Sequence, residues 1–160
     1  MSATPETRQP WPLTRIISGG QSGADRAGLA AGWLLGYQTG GAVPRGCRTE
    51  DGPAPSLVSV YHCHESTSSR YDIRTLDNIR AATGTLICGD TSSPGTRLTL
   101  NLCQIWAPDH WILNPRADEL RQWILDRQIQ ILNVAGNRES RNPGIYRSTL
   151  ILLQEALVRP

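Results

Sequence analysis

The chain has 160 residues, a length that suits one domain with a single hydrophobic core. Its 16 basic residues are all arginines, and against 14 acidic residues they leave a formal net charge of only +2. Because the chain has no cationic run, this balance does not predict nucleic-acid binding, and no apolar stretch is long enough to cross a bilayer. The absence of lysine excludes a Walker A loop and any chemistry that needs a lysine base or Schiff base.

Prolines and cysteines set two further expectations. Residues 1–13 contain three prolines and no apolar leader segment, which predicts a flexible tail ahead of one domain at 14–160. The four cysteines form no C-x-x-C pair. Without a secretion signal they are expected to be reduced thiols in a cytoplasmic protein.

Short apolar runs alternate with segments of helical periodicity. Strands are predicted at 14–18, 37–41, 84–88, 111–113 and 129–134, with a brief β-like patch at 57–61. Helices are predicted at 24–35, from 71 onward, around 98–106, from Pro115 with Asn114 as its N-cap, and after 144. This alternation predicts an α/β fold, a Rossmann-like three-layer sandwich whose mainly parallel sheet of about five strands is flanked by helices.

Four polar, glycine-bearing segments follow predicted strands, at 19–23, 41–52, 89–96 and 135–144. In a parallel sheet these segments share one rim. The first leads directly into a helix, with Ser22 as the expected N-cap. Glycine permits positive φ and close approach of a ligand, and a helix start favours an anion, so this segment predicts a phosphate cradle. The alternative interpretation is a structural turn whose glycines only allow close packing.

Charged side chains are concentrated in or beside these rim segments. A planar guanidinium suits phosphate and can stack on a ring, and the candidates are Arg26, Arg45, Arg48, Arg74, Arg97 and Arg138. Glu50, Asp51 and Glu139 are expected to position these arginines or to accept hydrogen bonds from a pterin or purine ring. The run His62-Cys63-His64 offers three metal-binding atoms without a fourth at a recognised spacing, so ordinary surface or partly buried side chains are favoured.

Six blocks, in matching order, resemble the molybdenum carrier family, which includes molybdenum cofactor carrier proteins. That family is grouped with the Lonely Guy phosphoribohydrolases among Rossmann-like folds. The blocks are IISGGQSGADR (16–26), GAVPRGCRTEDG (41–52), YDIRTLDN (71–78), GTLI (84–87), GTRLT (95–99) and LNVAGNRES (132–140). Two departures are Arg45, where the family usually has lysine, and Thr83, where it usually has aspartate.

The resemblance implies a cytoplasmic carrier that binds the molybdenum cofactor, a phosphate-bearing pterin (molybdopterin) with a dithiolene-held metal, and does not catalyse a reaction. A molybdoenzyme is the candidate recipient. The predicted binding residues are Gly19, Gly20, Gln21, Ser22, Gly23, Asp25, Arg26, Pro44, Arg45, Gly46, Arg48, Glu50, Arg74, Asn78, Gly95, Thr96, Arg138, Glu139 and Ser140. No metal site and no catalytic residue are predicted.

Two further expectations concern activity and assembly. Hydrolysis of a nucleotide derivative is the alternative function, but no carboxylate follows Gly95-Thr96, so Glu50, Asp51 or Glu139 would have to supply it. The C-terminal helix carries apolar stripes that include Tyr146 and Leu150. These stripes predict a homo-oligomer that buries part of them.

Overall fold

The computed structural model describes residues 9–160. Its strands are β1 (Arg15–Ser18), β2 (Gln38–Gly40), β3 (Ala42–Val43), β4 (Arg48–Thr49), β5 (Gly52–Pro53), β6 (His64–Glu65), β7 (Gly84–Cys88), β8 (Trp111–Leu113) and β9 (Ile131–Gly136). Its helices are α1 (Ala24–Leu34), α2 (Ser56–Ser59), α3 (Tyr71–Ala81), α4 (Pro94–Trp106), α5 (Ala117–Arg127) and α6 (Ile145–Ala156). No helix of residues 9–160 is long and apolar enough to cross a membrane.

Five strands form one parallel sheet in the order β2-β1-β9-β7-β8. Helices cover both faces of this sheet. Successive side chains of a strand point to opposite faces, so a strand with a continuous apolar run needs a helix packed on each side. Leu86 of β7 belongs to the larger core with Leu120 and Ile124 of α5, whereas the next residue, Ile87, packs with Ile79 of α3. The predicted Rossmann-like α/β sandwich is therefore confirmed.

The strand order reverses around β1, β9 and β7. From β1 the chain moves outward to β2 on one side, while β7 and β8 lie on the other side, and β9 returns between β1 and β7. Ile16 of β1 pairs in register with both Thr39 and Leu132. In open parallel sheets, ligands bind outside the carboxyl ends of the strands where the order reverses, and here that point is the β1–β9–β7 edge.

The start of the chain differs from the predicted tail. Residues 1–8 of that tail lie outside the described residues. Leu13 is buried in the larger core, and the indole of Trp11 donates to the Tyr37 hydroxyl at 2.8 Å. The packed domain therefore extends back to Trp11, because these two apolar side chains cover the open end of the core.

Three predicted elements are corrected. The β-like patch at 57–61 contains the end of a short helix, α2, where Leu57 is buried against Val43. Asn114 adopts a left-handed φ of 46° instead of capping α5, which begins at Ala117 behind Arg116. The last strand starts and ends two residues later than predicted, at Ile131–Gly136.

Candidate ligand-binding site

The rim loops come together at the carboxyl edge of the sheet, as predicted. The Glu50 carboxylate accepts hydrogen bonds from the hydroxyls of Ser22 and Ser140, and so links the loops that follow β1, β3 and β9. The Asn137 amide group joins the loop after β9 to Asp90, in the loop after β7, through two hydrogen bonds of 2.6 and 2.9 Å. The four segments therefore form one continuous surface.

The glycine-rich turn before α1 is filled by the protein itself. The Ala24 N–H, at the first turn of α1, donates to the Asn137 carbonyl at 3.1 Å. A Cβ at Gly23, where φ is +80°, would lie 2.3 Å from that same carbonyl oxygen. A Cβ at Gly20 would likewise lie 2.9 Å from side-chain atoms of both Leu57 and Val43. The geometry thus favours the structural interpretation of these glycines over the predicted cradle at this helix.

Ser22 is also not the N-cap of α1. Gly23 occupies the cap position, and no side chain caps the helix. The Ser22 hydroxyl instead donates to Glu50 and accepts from the Glu139 N–H at 3.2 Å. The predicted N-cap is corrected because these two loop contacts hold the serine away from the helix start.

The N-terminus of α4 opens into a cleft of about 330 Å³ that suits an anion. Gly95 and Thr96, in the first turn of α4, lie at its wall, and Arg138 and Arg141 line the same space. Within residues 9–160 neither arginine forms an ion pair. A helix start and two unpaired guanidinium groups together favour a phosphate here. We call this space the α4 cleft.

Asp25, Tyr71 and Arg74 together line a small polar well next to the α4 cleft, and we call these three residues the floor of the site. Asp25 is only 9% exposed and Arg74 only 5%, whereas Tyr71 is 42% exposed. The Arg74 guanidinium donates to the Gly19 carbonyl at 3.0 Å and lies 4.8 Å from the centre of the Tyr71 ring. A Cβ at Gly19 would lie 2.0 Å from the Arg74 Nη1 atom, so glycine is required for this approach.

Asp25 carries the unusual carboxylate of the site. Burial raises its pKa to about 6, against the lowering effects of the Arg74 charge and of the hydrogen bond from the Gln21 N–H. That hydrogen bond, of 3.3 Å, reaches the Oδ2 atom. Burial also raises the pKa of Tyr71, and the Asp25 charge adds to that effect. Within residues 9–160 no arginine forms an ion pair with Asp25.

A second cleft, of about 310 Å³, lies on the other side of Tyr71 and is rich in arginine. Its wall is formed by Pro44, Arg45, Gly46 and Arg48 from one loop and by Ser68, Ser69 and Arg70 from another, with Arg74 between them. Arg45 and Arg48 are exposed, and among residues 9–160 neither forms an ion pair. This arginine cleft can accept a second anionic group.

Glu50 and Glu139 hold the loops through hydrogen bonds within the chain, and Glu139 also lines a cleft of about 460 Å³ with Ser22 and Gly23. Hydrogen bonds from Ser140 and Ser22 keep the pKa of Glu50 below its usual range. The two oxygens of Glu139 accept from the Gly144 and Tyr146 N–H groups at 2.6 and 3.0 Å, at the start of α6. These carboxylates are engaged within the chain, which argues against their predicted roles toward a ring or a water molecule.

Several other predicted site residues are also engaged internally. Asn78 uses both ends of its amide on the backbone of Ala42, at 2.8 and 2.9 Å, and the Gln21 Oε1 atom accepts from the Glu50 N–H at 2.8 Å. Arg26 and Asp51 line a separate cleft of about 460 Å³ beside α6. Arg97 lies outside the clefts described here and donates to the Thr91 carbonyl at 3.2 Å.

The sequence interpretation did not single out Tyr71, Arg141 or Asn137. Tyr71 begins the YDIRTLDN block, so a tyrosine at the first turn of a rim helix was the available signal. Arg141 follows Arg138 by three residues in the same rim loop. Asn137 is 2% exposed and its hydrogen bonds depend entirely on the fold, so no sequence pattern could identify them.

The histidines and cysteines do not form a metal site. His62 adopts a φ of 58° before β6 begins at His64, while Cys63 is buried between them, so the three side chains do not share a strand face. Among residues 9–160 no group of three His, Cys, Asp or Glu residues could hold a metal ion. All four cysteines are free and buried, and burial raises the pKa of Cys63, Cys88 and Cys103 to about 11.

The architecture defines this protein as a Rossmann-like α/β domain with polar clefts at the carboxyl edge of its sheet. Residues 16–157 match the family described as "cpYpsA: Circularly permutated YpsA SLOG family", and the chain belongs to that family. A solved structure from Syntrophus aciditrophicus SB, described as "Putative molybdenum carrier protein", is 33% identical with a TM-score of 0.81. The match covers 91% of this chain and 96% of that one. No curated protein matches the chain.

Proposed function

We propose that this protein binds a small anion that carries a phosphate and a planar ring, and that it holds this ligand without converting it. The observation behind the proposal is the α4 cleft, where a helix start and the unpaired Arg138 and Arg141 adjoin the exposed ring of Tyr71. The phosphate would take the helix start, and the ring would lie against Tyr71.

The molybdenum cofactor is the proposed cargo. The name of the Syntrophus aciditrophicus relative supports a molybdenum carrier. The two clefts beside Tyr71 also suit a ligand with an anionic group at each end, because arginines line both of them. In the described chain the cysteines are buried, so the arginine cleft, rather than a thiolate, would meet the metal-bearing end.

This proposal is tested by measuring what the protein retains when it is produced in cells that make the cofactor. Pterin would be oxidised to its fluorescent products and quantified per mole of protein. Arg138→Ala should lower the retained pterin about tenfold or more, since it removes charge-assisted hydrogen bonds to the phosphate. Arg127→Ala removes the same charge from the end of α5 and should retain the parent amount. Equal retention in all three proteins, or none in the parent, would refute the proposal.

Hydrolysis of a nucleotide derivative is the second candidate, and Asp25 is the observation that favours it. A buried carboxylate with a pKa of about 6 beside a phosphate site can act as a general base. This carboxylate comes from the turn after β1, whereas the sequence interpretation looked for it in Glu50, Asp51 or Glu139. Base release from nucleoside monophosphates that is absent in Asp25→Asn would favour the enzyme over the carrier.

We further propose a cytoplasmic homo-oligomer that delivers its cargo to a molybdoenzyme. The surface predicted for oligomer formation is corrected, because Leu153 and Leu157 of the C-terminal segment are fully buried in the chain's own core. Leu150 packs against the same core. Exposed apolar side chains lie at several other places, among them the end of α4, where Ile105 is 70% exposed and Trp106 53%, and Ile151 on the outer side of α6, at 45%. Light scattering at micromolar concentration tests the assembly, and a monomeric mass would contradict it.

A further inference from the structure

We infer that Asp25 selects the ring of the ligand, by accepting hydrogen bonds from the adjacent N–H and amino groups of a 2-amino-4-oxopyrimidine ring. Pterins and guanine both carry this edge. The inference rests on the proposed function, because it assumes that a phosphate-bearing ring occupies the α4 cleft. It adds the residue that distinguishes one ring from another.

The first argument is the position of the carboxylate. Asp25 lies at the second residue of α1, behind the glycine turn, and lines both the α4 cleft and the small polar well beside Arg74. Its Oδ2 atom accepts from Gln21, while its Oδ1 atom has no hydrogen-bond partner among residues 9–160. Asp25 lines the cleft and this oxygen is not among the buried atoms that lack a partner, so a ligand in the cleft that brings N–H donors can reach it.

The second argument is that the Asp25 carboxylate, an acceptor, lies beside the Arg74 guanidinium, a donor, on the same floor. Arg74 is nearly as buried as Asp25, and within residues 9–160 its guanidinium makes a single hydrogen bond, with the Gly19 carbonyl. The floor therefore offers a carboxylate acceptor beside unused N–H donors. A 2-amino-4-oxopyrimidine edge presents the complementary order, with two neighbouring donors next to a carbonyl acceptor.

Adenine presents the wrong edge to this floor. Its ring nitrogen beside the amino group carries a lone pair, which would face a carboxylate oxygen and repel it. Hypoxanthine keeps the ring N–H and the carbonyl but lacks the amino group. A site that hydrogen-bonds specific donors rejects ligands without them, because its own buried groups are then left unpaired. The expected order of affinity is therefore guanine, then hypoxanthine, then adenine.

The test compares GMP, IMP and AMP, which share one phosphate and differ at this edge. By calorimetry, the parent protein should bind GMP at least tenfold more tightly than AMP, with IMP between them. Asp25→Asn should reduce the GMP/AMP ratio to within about twofold, since the amide replaces one acceptor oxygen with an NH2 group, which cannot accept from a ring donor. Asp109→Asn is the matched control: it removes an exposed carboxylate from the turn before β8, away from the clefts, and should keep the parent ratio.

The pH dependence gives a second measurement of the same groups. The charged or titratable groups that face Asp25 are Arg26 on its own helix, Arg74 and Tyr71 from α3, and Arg138 from the loop after β9. Among them the Asp25 carboxyl, with its pKa of about 6, is the group whose charge changes between pH 5 and 8. The GMP preference should fall as the pH drops through about 6, because a protonated carboxyl loses an acceptor.

The outcomes separate this inference from the proposed function. Tight binding of all three nucleotides with equal affinity, or a GMP/AMP ratio that survives in Asp25→Asn, overturns ring selection and leaves the phosphate site in place. Absence of binding for GMP, IMP and AMP overturns both. Arg138→Ala should weaken all three nucleotides by a similar factor, whereas Asp25→Asn should act mainly on GMP.

Discussion

The side-chain amide of Asn137 donates to the hydroxyl of Thr96 at 2.8 Å and thereby ties the end of β9 to the first turn of α4. The same side chain bonds the Asp90 backbone, and the Asn137 carbonyl receives the first N–H of α1. One buried residue therefore positions two helix starts at the rim. Asn137 therefore supports the shape of the clefts from outside them. Its side chain lines neither the α4 cleft, nor the arginine cleft, nor the small polar well beside Arg74.

Replacing Asn137 with alanine should destabilise the protein by about 2–4 kcal/mol, because the substitution leaves buried backbone groups and the Thr96 hydroxyl without partners. Urea unfolding measures the change. Asn101→Ala, on the exposed side of α4, is the control and should stay within about 0.5 kcal/mol of the parent. A loss below about 0.5 kcal/mol for Asn137→Ala would show that water replaces these contacts without cost.

Two glycines with nearly the same positive φ differ in how closely the rest of the chain approaches them. Gly23 has φ +80° and Gly36 has φ +79°, but a Cβ at Gly23 would lie 2.3 Å from the Asn137 carbonyl oxygen, while Gly36 has open space. Gly36→Ala should cost about 1 kcal/mol from its positive φ alone, and Gly23→Ala about 3 kcal/mol or more, because its backbone (φ 80°, ψ −132°) and the nearby carbonyl oxygen both oppose a side chain. Similar losses in urea unfolding would mean that the turn before α1 relaxes easily.

Much of the fold could be predicted because its signals are local. The alternation of short apolar strands with helices determines a parallel sheet, and a parallel sheet brings Gly19, Asp90 and Asn137 to one edge whatever the details of packing. The helix from Tyr71 and the strand at 84–88 were also predicted, because each combines a clear period with a clear end. The start of α5 was missed, because Asn114 turned out to bond the Gly89 backbone across the sheet edge.

The candidate site was harder to predict, because its chemistry depends on which groups the fold leaves unpaired. Glu50 and Asp25 both lie in glycine-rich rim segments and look equivalent in the sequence. In the structure Glu50 is saturated by serine hydroxyls, while Asp25 is buried with one unused oxygen. The helix proposed to accept the anion also differs from the one that the sequence indicates, since the packing of Asn137 fills the start of α1 and leaves the start of α4 at an open cleft.

The buried thiols should be unreactive in the folded protein. All four cysteines are buried, and burial raises the pKa of the Cys63 thiol to about 11, so very little thiolate is present at pH 8. An aromatic disulfide reagent should label less than one thiol per chain within minutes under native conditions, and four in urea. Rapid labelling of one native thiol would show that a cysteine becomes accessible through local opening of the loops.

Replacing Asp25 with asparagine should stabilise the folded protein at neutral pH, because the chain retains this buried carboxylate at a cost. The folded-state pKa of about 6 lies above the ordinary aspartate pKa of 3.8, so the folded state binds the proton more tightly than the unfolded chain does. The Asp25 contribution to stability is therefore most favourable below pH 4, declines as the pH rises to about 6, and stays at its lower value above that. A shift of this size corresponds to about 3 kcal/mol. Urea unfolding should show Asp25→Asn more stable than the parent by up to about that amount at pH 8, and nearly equal to it at pH 4.

The lowered pKa of Glu50 acts in the opposite sense, but it is present in both proteins and cancels in the comparison. Asp51→Asn, at an exposed position, should show no such divergence. An Asp25→Asn protein that is less stable than the parent at pH 8 would mean that the carboxylate is a structural anchor for the Gln21 backbone rather than a group held ready for a ligand.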